Sequence, residues 1–224
     1  MDVLHADSAL LIVNKPAGMP VLPDGWDADA PYLVKLLEQQ FAKLWVVHRL
    51  DKVTSGVLVF ARTAEAHREL NRQFERHETE KVYHALVNGS PLWTEHTARH
   101  KLRVNVGHSH RTVVDHAKGK TAETAFKVLQ RYPGCGLLEC RPATGKTHQI
   151  RVHAYALGHP LLGDLLYSAP PTELIARPAL HALSLIITHP ESGQRMTFEA
   201  PYADDFALAL RQLGQKNQNE NPNL

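Results

Sequence analysis

Two short apolar, β-branched runs, Trp45-Val46-Val47 and Val57-Leu58-Val59-Phe60, flank a polar turn holding His48, Arg49, Asp51, Lys52, Thr54, Ser55 and Gly56. That pattern predicts two buried strands around a surface loop, a usual setting for reactive side chains on a rigid scaffold. Ahead of it, Ala9 to Val13 reads as a buried strand broken by Asn14-Lys15-Pro16-Ala17-Gly18. Pro31 fits a first helical position, and Leu33, Leu36, Leu37, Phe41 and Leu44 form the apolar stripe of a scaffold helix. Thr63 predicts the N-cap of a second helix running to about Thr79, with Leu70 and Phe74 inward. Arg68, Arg72 and Arg76 stack on another face of it, interleaved with Glu65, Glu69 and Glu75 as on a solvated surface.

Val82 to Val87 alternates as a strand and sets Tyr83 on one face with Ala85 and Val87. Glu123–Leu129 and Cys135–Arg141 predict two further strands joined at Pro133-Gly134. Thr147 to Leu157 predicts a helix closed by Gly158 and followed by Pro160, with Ile150, Ala154 and Leu157 on one face and His148, Arg151 and Tyr155 on another. Late strands over Leu180–Thr188 and Arg195–Phe198 precede a closing helix over Asp205–Leu213. The polar segment from Gly214 is expected to be a disordered tail, so that residues 1–213 form the folded domain.

A chain of 224 residues, 43% hydrophobic and 21% charged, is globular and long enough for a substantial core. The net charge of +2 conceals a concentration: Arg99 to Lys120 carries six Lys or Arg against Asp115 alone, a local +5 that leaves −3 for the remainder. Such a patch suits a phosphate backbone, and equally a solvated basic loop. No apolar run approaches membrane-spanning length and no secretory leader is visible, so a cytoplasmic location is expected. The two cysteines, Cys135 and Cys140, read as buried thiols rather than a disulfide framework.

The candidate chemistry starts at Asp51, the only acid between Gln39 and Glu65. On residue type alone, Asp51 and Thr54 also fit a hydrogen-bonded turn with Gly56 supplying an unusual backbone angle. His108, His110 and His116 invite a metal reading, but they lack helical register and a nearby cysteine, and no metal is expected there. Gly145-Lys146-Thr147 is not a phosphate loop, because the motif needs glycine where Cys140 stands. Arg151, projected from a helix, is well suited to a carboxylate through its planar fork, although alone it reads as an ordinary salt-bridge residue.

The string His48-Arg-Leu-Asp51-Lys-Val-Thr-Ser-Gly56 resembles the signature of the RluA-type pseudouridine synthases, and two further blocks, KVYHALVNG from Lys81 and THQIRVH from Thr147, resemble that family's later motifs in family order. The resemblance spans roughly Leu10 to Pro201. It implies an α+β pseudouridine synthase fold: a bent, mixed, largely antiparallel sheet with flanking helices and a central cleft, in a short form without the N-terminal RNA-binding domain of longer relatives. The implied activity is isomerisation of uridine to pseudouridine in ribosomal or transfer RNA, by a cytoplasmic monomer acting on a structured stem-loop. It makes Asp51 the catalytic aspartate, Tyr83 the ring that stacks on the target uracil, Arg151 the partner of Asp51, and the Lys15-Pro16 loop a buttress of the site. Arg49 is expected to enter the RNA stack where the target base had been. His48, Lys146, His148, Arg103, Arg111, Lys118 and Lys120 are the other expected RNA contacts, with Lys146 standing where many relatives have arginine. The reaction breaks the bond from ribose to ring nitrogen, turns the base and joins carbon 5 to the sugar without redox change or a departing group, so no cofactor is expected. The alternatives are an inactive RNA-binding relative and a histidine-metal hydrolase.

Overall fold

A computed structural model describes residues 2–23, 30–108 and 110–220. The fold is α+β, and the chain divides into two units, Met1–Lys81 with Ala182–Ala203, and Val82–His181 with Asp204–Leu224.

In the first unit, β1 (Asp2–Ala6), β2 (Leu10–Lys15), β4 (Ser55–Ala61) and β10 (Leu180–Thr188) lie in that order, with β3 (Trp45–Val46) on β4 and β11 (Arg195–Glu199) on β10. The pairings β1 with β2, β2 with β4, β3 with β4 and β10 with β11 are antiparallel. Leu10, Leu11, Ile12 and Val13 are all fully buried. A strand with no polar alternation must have both faces covered. Helix α1 (Leu33–Phe41) turns Leu33, Val34 and Leu37 inward. Helix α2 (Ala64–Glu75) starts as expected, the Thr63 hydroxyl accepting from the Ala66 N–H at 3.1 Å. Its arginine row is a solvated face: Arg68 pairs with Glu65, and Arg72 with Glu69 and Glu78.

In the second unit, β5 (Glu80–Asn88), β9 (Cys135–Pro142), β8 (Lys120–Tyr132), β6 (Glu95–Val106) and β7 (Arg111–Val114) form an antiparallel run in that order. Helix α3 (Gln149–Ala156) packs Ile150 and Ala154 into a core with Ala85, Val87 and Phe126, against which Tyr83 and Leu157 also rest. Cys135 and Cys140 are both free and buried, and burial pushes both thiols up, Cys135 to about 11. Two expectations change. The basic stretch from Arg99 is mostly strand, because Ala98 and Leu102 alternate inward between charged neighbours. The closing helix α4 spans Asp204–Glu220, running past Leu213, where the sequence places its end. Residues 221–224 of the expected tail lie outside the described residues.

Candidate active site

The candidate residues fall in both units. Asp51, His48 and Arg49 stand in the first, on the loop between β3 and β4; Tyr83, Lys146, His148, Arg151 and the basic hairpin stand in the second.

The Asp51 loop is held through its main chain. Lys15, at the end of β2, is 0% exposed. A fully buried ammonium is tolerated only with its donors satisfied. Its Nζ donates to the carbonyls of Pro16 at 2.8 Å, Met19 at 2.8 Å and Lys52 at 3.2 Å. The Gly18 N–H donates to the same Lys52 carbonyl at 2.8 Å, and the Thr54 N–H to the Asp51 carbonyl at 3.0 Å. The Lys-Pro loop is therefore tied to the Asp51 loop at the Lys52 carbonyl. Where the loop enters β4, Gly56 has φ +117°, and a Cβ there would lie 2.1 Å from the Ala182 carbonyl oxygen. Only glycine permits that approach.

Arg49 is exposed. His48 instead has a structural task. Its ring stacks on Phe74, centroids 4.7 Å apart, and its Nε2 accepts from the Val59 N–H at 3.3 Å. Burial of the ring, with a contribution from the Lys81 charge, depresses its pKa to about 3, keeping it neutral. One face and one nitrogen of an expected RNA contact are thus committed to the fold.

In the second unit, Arg151 is 4% exposed. Its Nε donates to Asp164 Oδ2 at 2.7 Å and its Nη2 to Asp164 Oδ1 at 2.8 Å, a bidentate pair. The Tyr167 ring lies against the guanidinium, 5.1 Å from its carbon. The Tyr167 hydroxyl donates to the Thr112 carbonyl at 2.9 Å and accepts from the Thr112 N–H at 3.0 Å. His148 places Nδ1 3.2 Å from that hydroxyl and takes a left-handed backbone, φ 56°, directly before α3. Gln149 ties the Lys146 loop to β8: its Oε1 accepts from the Thr144 hydroxyl at 2.6 Å and the Lys146 N–H at 3.1 Å, while its Nε2 donates to the Glu123 carbonyl at 2.8 Å. Asp164, Tyr167 and Gln149 were not singled out by the sequence reading. The first two lie in Gly163-Asp164-Leu165-Leu166-Tyr167, beyond the THQIRVH segment.

The basic stretch is less charged than its composition suggests. Arg99 pairs with Glu123 at 2.7 Å, and Arg103 with Asp115 at 3.0 Å. Lys101, Lys118 and Lys120 are exposed and Arg111 half-buried, along β6, β7 and the turns beside them. His108 and His110 lie in the hairpin turn. Among the described residues, no group of three or more His, Cys, Asp or Glu is arranged to hold a metal ion.

A model of the RNA pseudouridylate synthase family matches residues 9–156. The chain is 38% identical to the dual-specificity RNA pseudouridine synthase RluA of Escherichia coli K12, over 89% of this chain and 92% of that protein. It is 36% identical to the ribosomal large subunit pseudouridine synthase D of Zymomonas mobilis, over 98% of this chain and 74% of that one. Among solved structures, it resembles human RNA pseudouridylate synthase domain containing 4 with a TM-score of 0.77 at 25% identity, covering 95% of this chain and 92% of that chain.

Proposed function

This chain belongs to the RNA pseudouridylate synthase family, and we propose that Asp51 is the carboxylate on which its reaction turns. The enzyme is an RNA pseudouridine synthase, an isomerase acting on uridine within RNA. The observation that carries the assignment of Asp51 is the buried Lys15 ammonium, which ties the carbonyl of Lys52, the residue after Asp51, to the carbonyls of Pro16 and Met19. A fold that commits a buried charge to one loop has a use for that loop's exact position, since misplacing a reacting group by 1 Å costs about 100-fold in rate.

The proposed division of labour follows from the chemistry. The target uridine leaves its stack, at a cost of a few kcal/mol that is least in a loop. Asp51 acts on the nucleoside while the bond from ribose to N1 breaks. The free uracil must then be kept and turned so that carbon 5 meets the sugar. Tyr83 stacks on that ring, which contributes about 1–3 kcal/mol, enough to retain a base and too little to drive the reaction. Arg151 supplies a guanidinium to the reaction, and Arg49 fills the gap left in the RNA. Lys146, Arg111, Lys118 and Lys120 contact the RNA, with Arg103, His48 and His148 contributing less because the fold already engages them. The substrate is a stem-loop of ribosomal or transfer RNA, met in the cytoplasm by a monomer. Among the described residues, no helix is long and apolar enough to cross a membrane.

Asp51→Asn is expected to abolish tritium release from RNA labelled at uracil carbon 5 while leaving RNA binding close to wild type. Full turnover by that variant excludes the assignment. Mapping pseudouridines in ribosomal and transfer RNA, with and without the gene, identifies the RNA.

A further inference from the structure

We propose that Asp164 is a positioning residue for the isomerisation: it fixes the Arg151 guanidinium in the single orientation that the reaction uses. The inference rests on the reading of Arg151 given above and adds a residue to it. Three observations carry it.

The first is the pairing itself. Both Asp164 oxygens are matched to two different nitrogens of the fork, at 2.7 and 2.8 Å, with the carboxylate 0% exposed. A bidentate pair fixes the plane of the guanidinium as well as its place. The second is that Asp164 is itself held from several sides. Its N–H donates to the Leu161 carbonyl at 3.1 Å, and its carbonyl accepts from the Tyr167 and Ala169 N–H groups, each at 3.1 Å. The preceding residue, Gly163, has φ +72°, and a Cβ there would lie 2.3 Å from the Arg177 carbonyl oxygen. Arg177 in turn forks onto Asp205 of α4 at 2.7 and 2.8 Å. The carboxylate is therefore presented from a segment with no room to shift. The third is the Tyr167 ring on the guanidinium, which limits rotation out of that plane.

An arginine needed only for charge has no use for such restraint. Its flexible side chain carries substantial rotamer entropy, and fixing it costs stability unless the orientation matters. The arrangement suits an arginine whose guanidinium must lie at a fixed place and angle.

The test compares Asp164→Asn with wild type, both as full chains, on ribosomal and transfer RNA transcripts tritiated at uracil carbon 5. Replacing one oxygen by an NH2 group sets donor against donor, so the fork must turn. The single-turnover rate at saturating enzyme is expected to fall about 100-fold, the loss associated with a displacement of about 1 Å. RNA affinity is expected to stay within about twofold, which separates a transition-state effect from lost binding. A rate within about twofold of wild type in folded Asp164→Asn overturns the proposal, as does a loss confined to affinity. Should that variant fail to fold, Asp164→Glu keeps the charge beside Arg151 and moves the carboxylate by one methylene. A rate about tenfold down with affinity retained then supports positioning, and wild-type rate overturns it. Asp51→Asn separates the two levels of inference: if it turns over fully, the parent reading falls whatever Asp164 does. If it is inactive while Asp164→Asn is not, only the present inference falls.

Discussion

Asp51 and Arg151 are immobilised by opposite means. Around Asp51 the restraints described act on the backbone: a buried ammonium that joins the Lys52 carbonyl to those of Pro16 and Met19, two loop hydrogen bonds, and a glycine against a neighbouring strand. Around Arg151 they act on the side chain: a carboxylate fork and an aromatic face. The difference follows from where each residue sits. A short side chain on a loop is as well placed as its peptide, so the peptide must be fixed. The peptide of Arg151 is already fixed by α3, and what remains free is a long chain of rotatable bonds.

That contrast is broken most directly at Gly56. In Gly56→Ala the new Cβ would meet the Ala182 carbonyl oxygen at 2.1 Å, on a backbone with φ +117° that L side chains rarely adopt. Both partners are main chain of strands, so neither yields without disturbing the sheet. The expected loss of stability, read by urea denaturation, exceeds about 4 kcal/mol, the range of severe steric and backbone defects. A loss below about 1 kcal/mol, the size of an ordinary substitution, shows that the Asp51 loop is not held by this approach.

The side-chain half is expected to be more forgiving. Tyr167→Phe keeps the ring on Arg151 and removes the hydroxyl that serves both the N–H and the carbonyl of Thr112. Thr112 is 0% exposed, so water does not readily replace it. The cost is expected to be about 1–3 kcal/mol, that of buried groups left unpaired. Hydrogen exchange at the Thr112 amide should quicken accordingly. A loss as large as that of Gly56→Ala removes the asymmetry between the two regions.

How legible this was in the sequence depends on whether the relevant interaction is local. The strands around Asp51 and the helix around Arg151 could be read because apolar runs and helical spacing are short-range signals, and the Thr63 cap and the Pro133-Gly134 turn are local chemistry. Strand β6 was missed because its inward residues, Ala98 and Leu102, are small or isolated among charges, so composition masked a period of two. The local +5 leaves out Glu123, which pairs with Arg99 from the neighbouring strand, just outside the stretch counted. Asp164 escaped because nothing in a Gly-Asp pair says which arginine it will meet. Thirteen residues of sequence separate it from Arg151, and only the packing of the intervening turn onto α3 joins them.

The finest distinction between the regions is a pH dependence, since each holds an imidazole neutral. In the first, His48 lies on Phe74 with its pKa depressed to about 3 by burial and by Lys81. In the second, His153 is 0% exposed, places Nδ1 2.9 Å from the Thr124 hydroxyl, and is depressed to about 4 by burial and by His100. Both folded-state values lie below the ordinary 6.5. As pH falls below 6.5 the unfolded chain takes up protons that the folded chain refuses, so stability is present above that value and declines beneath it. Each imidazole contributes a slope of at most about 1.4 kcal/mol per pH unit. His48→Gln supplies an amide oxygen for the Val59 N–H and cannot titrate, so its stability should decline less between pH 6.5 and 4 than that of wild type. His153→Gln should remove a similar slope over the upper part of that range and lose its advantage first, near pH 4, where His153 itself protonates in the folded chain. Denaturation curves at half-unit intervals resolve the two windows. If His48→Gln declines as steeply as wild type, that ring is free to take a proton in the folded state, and the Asp51 loop is less tightly packed on its Phe74 side than the stacking requires.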